Sequence, residues 1–355
     1  MELHLVGGFL GSGKTTAIIG AARLLAERGQ TVGVVTNDQG KYLVDTAFFQ
    51  AAGVPAVEVT GGCFCCHYDD LTARLAQLRD AARPHTIFAE SVGSCADLVA
   101  TVMKPLLELQ TTFTPASFSV FADCRLLRRR LLDEPMPFSE DVVYVFDQQI
   151  EEAGLLVVNK VDLLAQAALD ELRELVGRRW PEKPILLHSA LQPGGAAAWL
   201  AAAAGGGGPA LNSLAGIDYP RYGAGEARLA WLDMRLALTV APGEGTKALT
   251  RLLEGIWMGL AARGAGLGHL KMALRWQGGE AKLSLTALED PTWRERVPLM
   301  GGDQVAVLLN ARAELPPGDL LELVKQSLGG CGAAFSIQRV DSFAPGFPNP
   351  THRVG

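Results

Sequence analysis

One string constrains this chain more than any other: Gly8-Phe9-Leu10-Gly11-Ser12-Gly13-Lys14-Thr15-Thr16. It follows an apolar run, Leu3 to Val6, that reads as a buried strand. It precedes Ala17 to Arg28, which reads as a helix. The spacing G-x-x-x-x-G-K-T is that of a phosphate-binding P-loop. Glycines let consecutive backbone N–H groups curl around phosphate oxygens. The helix that starts here points its positive end at the same anion. Lys14 can reach the terminal phosphates of a nucleotide, and the Thr15 hydroxyl can ligate Mg²⁺. A glycine-rich turn that binds nothing would not need strand, loop and helix in this order.

From this loop onward, short apolar strands alternate with helices. Strands are predicted at Thr31 to Thr36, Ala56 to Thr60, Thr86 to Ala89, Ser117 to Ala122, Leu155 to Val158 and Ile185 to His188. Helices are predicted near Asp69 to Ala82 and Ala96 to Leu109. Continuous apolar strands separated by helices imply a mainly parallel sheet of P-loop NTPase type, covered on both faces. Its ligands sit at the C-terminal strand ends. A glycine tetrad and Pro209 break the pattern after Ala204. With 355 residues there is room for two domains. The expected division is an α/β domain at 1–210, a linker at 211–227 and a smaller α+β domain at 228–355. In the last part, strands are predicted at 229–240, 269–276, 281–288, 304–309 and 334–340, with helices at 245–262 and 320–328. The proline-rich tail from Ala344 to Pro350 fits neither helix nor central strand.

The net charge of −6 gives no footprint for nucleic acid. No apolar run approaches the roughly 20 residues that cross a bilayer, so no membrane partner is expected. No charged leader precedes the first strand, and the cytoplasm is the expected location. Of six cysteines, three crowd into Cys63, Cys65 and Cys66, which argues for metal or redox chemistry rather than a disulfide framework. Cys95, Cys124 and Cys331 stand alone and read as buried packing thiols.

Five further motifs fall at predicted strand ends. Asn159-Lys160-Val161-Asp162 follows the sixth strand. The Asp162 carboxylate there can accept both N–H groups of a guanine edge, which adenine does not offer, and the Lys160 stem can lie along the base. Ser189-Ala190, after the next strand, can close the other side of guanine. Glu90-Ser91-Val92-Gly93 places an acid where Mg²⁺ would bind and the Gly93 amide where a γ-phosphate would be sensed. Asn37-Asp38-Gln39-Gly40 sits where a switch segment would be. Asp38 can bind metal or orient the attacking water, with Asp45 as a lesser candidate. Lys14, Asp38 and Glu90 are the catalytic candidates. Gly61-Gly62-Cys63-Phe64-Cys65-Cys66-His67 offers soft thiolate ligands suited to Zn²⁺ or Co²⁺. A redox-active thiol cluster and plain packing are the rival explanations.

In this order, Gly8 to Thr16, Gly62-Cys63-Phe64-Cys65-Cys66, Glu90 to Gly93 and Asn159 to Asp162 resemble the CobW/HypB/UreG family of P-loop GTPases. Gln148-Gln149-Ile150-Glu151-Glu152-Ala153 adds to the likeness, which covers about residues 1 to 205, and the cysteine triplet points to the CobW-like branch. The resemblance implies GTP and Mg²⁺ as ligands. Gly8, Gly11, Ser12, Gly13, Lys14, Thr15, Thr16 and Gly93 would hold the phosphates. It implies hydrolysis coupled to delivery of Zn²⁺, Co²⁺ or Ni²⁺ to a client metalloenzyme, and dimerisation with nucleotide. Two departures stand out. There is no histidine-rich loop, and the residues after Gly93 are Ser94-Cys95-Ala96-Asp97 rather than an alanine–proline continuation. With no arginine finger assignable, turnover is expected to be slow without a partner. The alternative is a GTP-dependent assembly factor whose cysteines are structural or redox-active.

Overall fold

The computed structural model describes residues 1–40, 44, 48–49, 52–109, 113–205 and 213–355. Asp45 lies outside the described residues, as does the glycine run at 206–208. The first sheet contains β1 (Glu2–Gly8), β2 (Val32–Asp38), β3 (Ala56–Thr60), β4 (Thr86–Glu90), β5 (Thr114–Asp123), β6 (Leu155–Asn159) and β7 (Ile185–Leu187). Their spatial order is β3-β2-β4-β1-β5-β6-β7, and every pairing is parallel. The strands are apolar on both faces because helices cover both. On one face α1 (Lys14–Glu27) and α7 (Gly195–Ala204) enclose Ile18, Ala21, Phe88, Phe121 and Trp199. On the other, α2 (Tyr68–Ala82), α3 (Lys104–Leu109), α4 (Cys124–Leu131), α5 (Glu140–Glu152) and α6 (Gln166–Arg179) enclose a larger core around Leu5, Phe64, Leu75, Phe118 and Phe146. A widened π-type turn at Val99–Met103 leads into α3. Pro105 has no N–H to give the preceding turn, and the extra width takes up that mismatch.

The stretch expected to be a linker carries a helix, α8 (Tyr219–Ala227). Its N-cap is Asp218, whose side chain accepts from the Arg221 N–H at 3.0 Å. Gly223 and Gly225 are poor helix residues, which hid the helix in the sequence. They are there for close approach, since a Cβ at Gly225 would lie 2.4 Å from the Asp141 carbonyl of α5.

The second sheet is antiparallel throughout. Its strands are β8 (Leu229–Thr239), β9 (Leu267–Trp276), β10 (Gly279–Leu285), β11 (Gln304–Glu314) and β12 (Ala334–Phe343), in the order β10-β9-β11-β8-β12. Two helices, α9 (Gly245–Ala262) and α10 (Pro317–Gly330), supply Leu249, Leu253, Ile256, Leu320 and Val324 to its core. The two domains share a boundary. Leu229 and Trp231 at the start of β8 belong to the core of the first domain.

Candidate functional site

β1 is central in its sheet, and the P-loop leaves from its C-terminal end. Gly13 has φ 97°, and a Cβ there would lie 2.4 Å from Asn159 Nδ2. Only glycine meets both demands. Lys14 is buried and donates to the Gly8 carbonyl at 2.7 Å, across the hollow of the loop. Thr15 Oγ1 donates to Glu90 Oε1 at 2.9 Å. Thr15, in the first turn of α1, and Glu90, at the end of β4, therefore come together. Ser12 Oγ is buried, has no hydrogen-bond partner among the described residues and faces the same hollow. Gly93 abuts Leu10, so closely that a Cβ would sit 3.0 Å from the Leu10 backbone. The Gly93 carbonyl is held by Gln149 Nε2 at 3.1 Å.

The second strand-end motif meets the loop directly. Asn159 Nδ2 donates to the Ser12 carbonyl at 2.7 Å, while Asn159 Oδ1 accepts from the Ala190 N–H at 3.2 Å. His188 Nδ1 lies 2.8 Å from the same oxygen, and burial lowers its pKa. Asn159 thus ties the P-loop to Ser189-Ala190. Lys160 adopts a left-handed backbone, φ 66°, and its ammonium lies 2.9 Å from Asp123 Oδ2 and from Thr286 Oγ1. Asp162 is exposed on the turn that follows.

Sequence reasoning missed the roof of this cleft. A narrow cavity of 70 Å³ lies between the P-loop and the second domain, lined there by Trp231, His269, Lys271, Lys282, Ser284 and Thr286. The fit is tight, for a Cβ at Gly11 would come within 2.6 Å of the Gly268 carbonyl. His269 is buried, and desolvation together with Lys271, Arg312 and Lys14 holds its pKa well below normal. Two lysines opposite a phosphate cradle carry no motif of their own, and only the fold brings them there.

Asp38 lines the same cleft, and Arg312 Nη2 holds its carboxylate at 3.1 and 3.3 Å. Arg312 has no exposed side-chain surface. It also bonds Asp233 Oδ1 at 2.8 Å and lies 4.1 Å from the Trp231 ring centroid. The Asp38 expected at a metal is therefore, in this arrangement, one jaw of an interdomain clamp. Its neighbour Asn37 was not singled out by sequence. Asn37 Nδ2 donates to the carbonyls of Val59 and Gly62 at 3.1 and 2.7 Å, and Asn37 Oδ1 accepts from the Phe64 N–H at 2.8 Å. That single amide fixes the cysteine loop to β2.

The three motif cysteines do converge. The Sγ of Cys63 lies 2.8 Å from that of Cys65 and 3.2 Å from that of Cys66, and the last pair is 3.8 Å apart. Thiols of Cys65, Cys66 and Cys95 directed at Cys63 hold its pKa well below that of a free thiol, and the contact with Cys63 raises Cys65. One thiolate supported by neighbouring S–H groups is what a soft metal ion displaces protons from. A tail segment lies over this loop. The Asn349 N–H donates to Cys66 Sγ at 3.3 Å, and the Thr351 N–H to the Cys65 carbonyl at 2.8 Å.

A parallel sheet with a glycine-rich loop and a Lys-Thr pair at the end of its central strand defines a P-loop nucleotide-binding protein. Residues 2–187, just over half of the chain, match the CobW/HypB/UreG nucleotide-binding domain, and the chain belongs to that family. It is 28% identical over 207 residues to the zinc chaperone CobW of Sinorhizobium sp, covering 52% of this chain and 58% of that protein. It is 32% identical over 168 residues to the zinc chaperone YeiR of Escherichia coli strain K12, covering 45% and 46%. The match thus spans about half the length of either relative. Among solved structures, HypB from Helicobacter pylori in complex with nickel aligns at 18% identity, with a TM-score of 0.42 over 56% of this chain and 82% of that one. No helix among the described residues is long and apolar enough to cross a membrane.

Proposed function

We propose that this protein is a GTP-hydrolysing metallochaperone that carries Zn²⁺ on Cys63, Cys65 and Cys66 to a client metalloenzyme. One observation carries the proposal. Adjacent residues of β2 serve the two sites, because Asn37 grips the cysteine loop while Asp38 lines the nucleotide cleft. A change at the phosphates that moves Asp38 must move Asn37, and with it the sulfurs. Zinc as cargo is supported by the names of the CobW and YeiR relatives. The same donors would accept Co²⁺.

Asp162 would read guanine through its two edge N–H groups, with Asn159, Lys160, Ser189 and Ala190 framing the base. For Lys160 to reach the base it must leave Asp123 and Thr286. Thr15 and Glu90 present hard oxygens 2.9 Å apart, a donor set that fits Mg²⁺, which when bound would neutralise charge between the β- and γ-phosphates. Lys14 stabilises the charge that develops as water attacks the γ-phosphorus and GDP leaves with the bridging oxygen. Lys271 and Lys282 add positive charge from the roof and take the place of a finger supplied by a partner.

The test is equilibrium Zn²⁺ binding with and without a non-hydrolysable GTP analogue. The analogue is expected to change zinc affinity about tenfold or more, a coupling near 1.4 kcal/mol. Asn37→Ala, which frees the cysteine loop from β2, is expected to bind zinc less tightly and with equal affinity in both nucleotide states. Equal affinity in both nucleotide states would sink the coupling. Zinc binding by a Cys63/Cys65/Cys66 triple serine variant equal to wild type would sink the carrier itself and favour the assembly factor.

A further inference from the structure

We propose that His269, on the second domain, holds the water that attacks the γ-phosphate of GTP. The inference rests on the reading that GTP is hydrolysed in the cleft between the P-loop and the second sheet. β9 lies directly on the P-loop at the residue before His269. The Gly268 carbonyl abuts Gly11, and a Cβ at Gly268 would come 2.7 Å from Leu10 Cδ1. Across the sheet His269 pairs in register with Arg312, whose guanidinium is itself fixed by Asp38 and Asp233. The ring therefore stands on a backbone held on both sides, and it lines the same cleft as Lys14 and Thr15.

The ring also lacks what a packing histidine has. His269 is only 6% exposed, yet its Nδ1 has no hydrogen-bond partner among the described residues. The buried His4 and His188 each place Nδ1 against a fixed side chain, Ser117 Oγ at 2.7 Å and Asn159 Oδ1 at 2.8 Å. A buried polar nitrogen left open at the wall of a cleft calls for a ligand or a water. The charged groups acting on the ring are Lys14 from α1, Lys271 on its own strand, Lys282 from β10 and Arg312 from β11, all cations. The two acids of the cleft are engaged, Asp38 by Arg312 Nη2 at 3.1 and 3.3 Å and Glu90 by Thr15 at 2.9 Å. Desolvation and these cations keep the imidazole neutral, so one ring nitrogen accepts a hydrogen bond. Asp38, the acid expected to orient the water, is thus occupied, and His269 is placed to do so instead. In the step, the water oxygen bonds to the γ-phosphorus as the bond from that phosphorus to the bridging oxygen breaks. The electron pair of the broken bond leaves with GDP, and both water protons end on the released phosphate. The imidazole accepts one hydrogen bond, aims the water and is itself unchanged.

Single-turnover hydrolysis of GTP with Mg²⁺ by the full-length protein, read beside the affinity for a fluorescent non-hydrolysable GTP analogue, decides the question. His269→Ala is expected to lower the rate about a hundredfold, while the Kd of the analogue changes by less than about threefold. His269→Gln, which returns a neutral acceptor, should be at least about tenfold faster than Ala. The ratio of wild-type to Ala rate should be the same at about pH 6.5 and about pH 8.5, because the ring has no charge to lose in that range. An Ala rate within about threefold of wild type, a rate loss matched by lost analogue affinity, a Gln rate no better than Ala, or a ratio that climbs with pH would each overturn the proposal and leave hydrolysis in place. No hydrolysis by wild type would overturn both. Where Ala does not fold, His269→Leu takes its place as the variant without an acceptor, and Gln no faster than Leu overturns the proposal.

Discussion

Glu152 sits at the end of α5 with no exposure at all, and its carboxylate accepts from the Val99 N–H at 3.2 Å. Desolvation raises its pKa well above the ordinary 4.5. The folded state therefore keeps a proton that the unfolded state releases. Stability from this group is full below pH 4.5 and is lost as pH climbs through the folded pKa. Replacement by Gln keeps one acceptor and removes the titration. Urea unfolding at about pH 5 and about pH 8 should show Glu152→Gln gaining on wild type as pH rises, by up to about 1.4 kcal/mol per pH unit inside the window. A gap that stays flat with pH would mean the carboxyl ionises without cost.

Among elements, the junction of β2 with β8 and β11 buries an arginine between two carboxylates. Arg312 answers both Asp38 and Asp233, and Asp233 is nonetheless pushed up to about 6, mainly by burial. Removing the guanidinium leaves two carboxylates facing each other in a site with little water. Arg312→Ala should cost about 3–5 kcal/mol, read by denaturation with Trp231 fluorescence as the probe. The deficit should narrow as pH falls toward 6, because without Arg312 the buried Asp233 takes up its proton at a higher pH than in wild type. Equal loss at all pH values would point to packing rather than charge. This junction also shows what a single sequence conceals. The β11 strand reads as ending at Leu309, because Asn310 and Arg312 interrupt the apolar run. In the fold the strand continues to Glu314, and those polar residues point into an interface that supplies their partners. By contrast, Lys14, Thr15, Glu90, Asn159 and the three cysteines were legible, because each sits at a fixed offset from a strand end. Lys271 and Lys282 have no such offset. Their place depends on how one domain roofs the other.

At the scale of the whole molecule, the tail from Pro348 onward fastens to the first domain. Thr351 bonds the Cys65 and Cys66 backbone, and the His352 ring meets Tyr68 edge-on at 4.9 Å. Arg353 pairs with the buried Asp97 at 2.7 Å, and the Val354 N–H reaches the Ala100 carbonyl at 2.8 Å. Deleting 349–355 should speed labelling of Cys66 by a maleimide several-fold, while the cooperative unfolding transition survives. An unchanged labelling rate would show that the tail gives no cover. The two partners of this cover, Cys66 and Asn349, are 283 positions apart. A ribosome adding about 5–20 residues per second needs roughly 15 to 60 s to make that much chain. During every round of synthesis the thiols leave the exit tunnel bare and stay so for that interval. The nascent protein thus has a period in which the sulfurs can be reached before their cover exists.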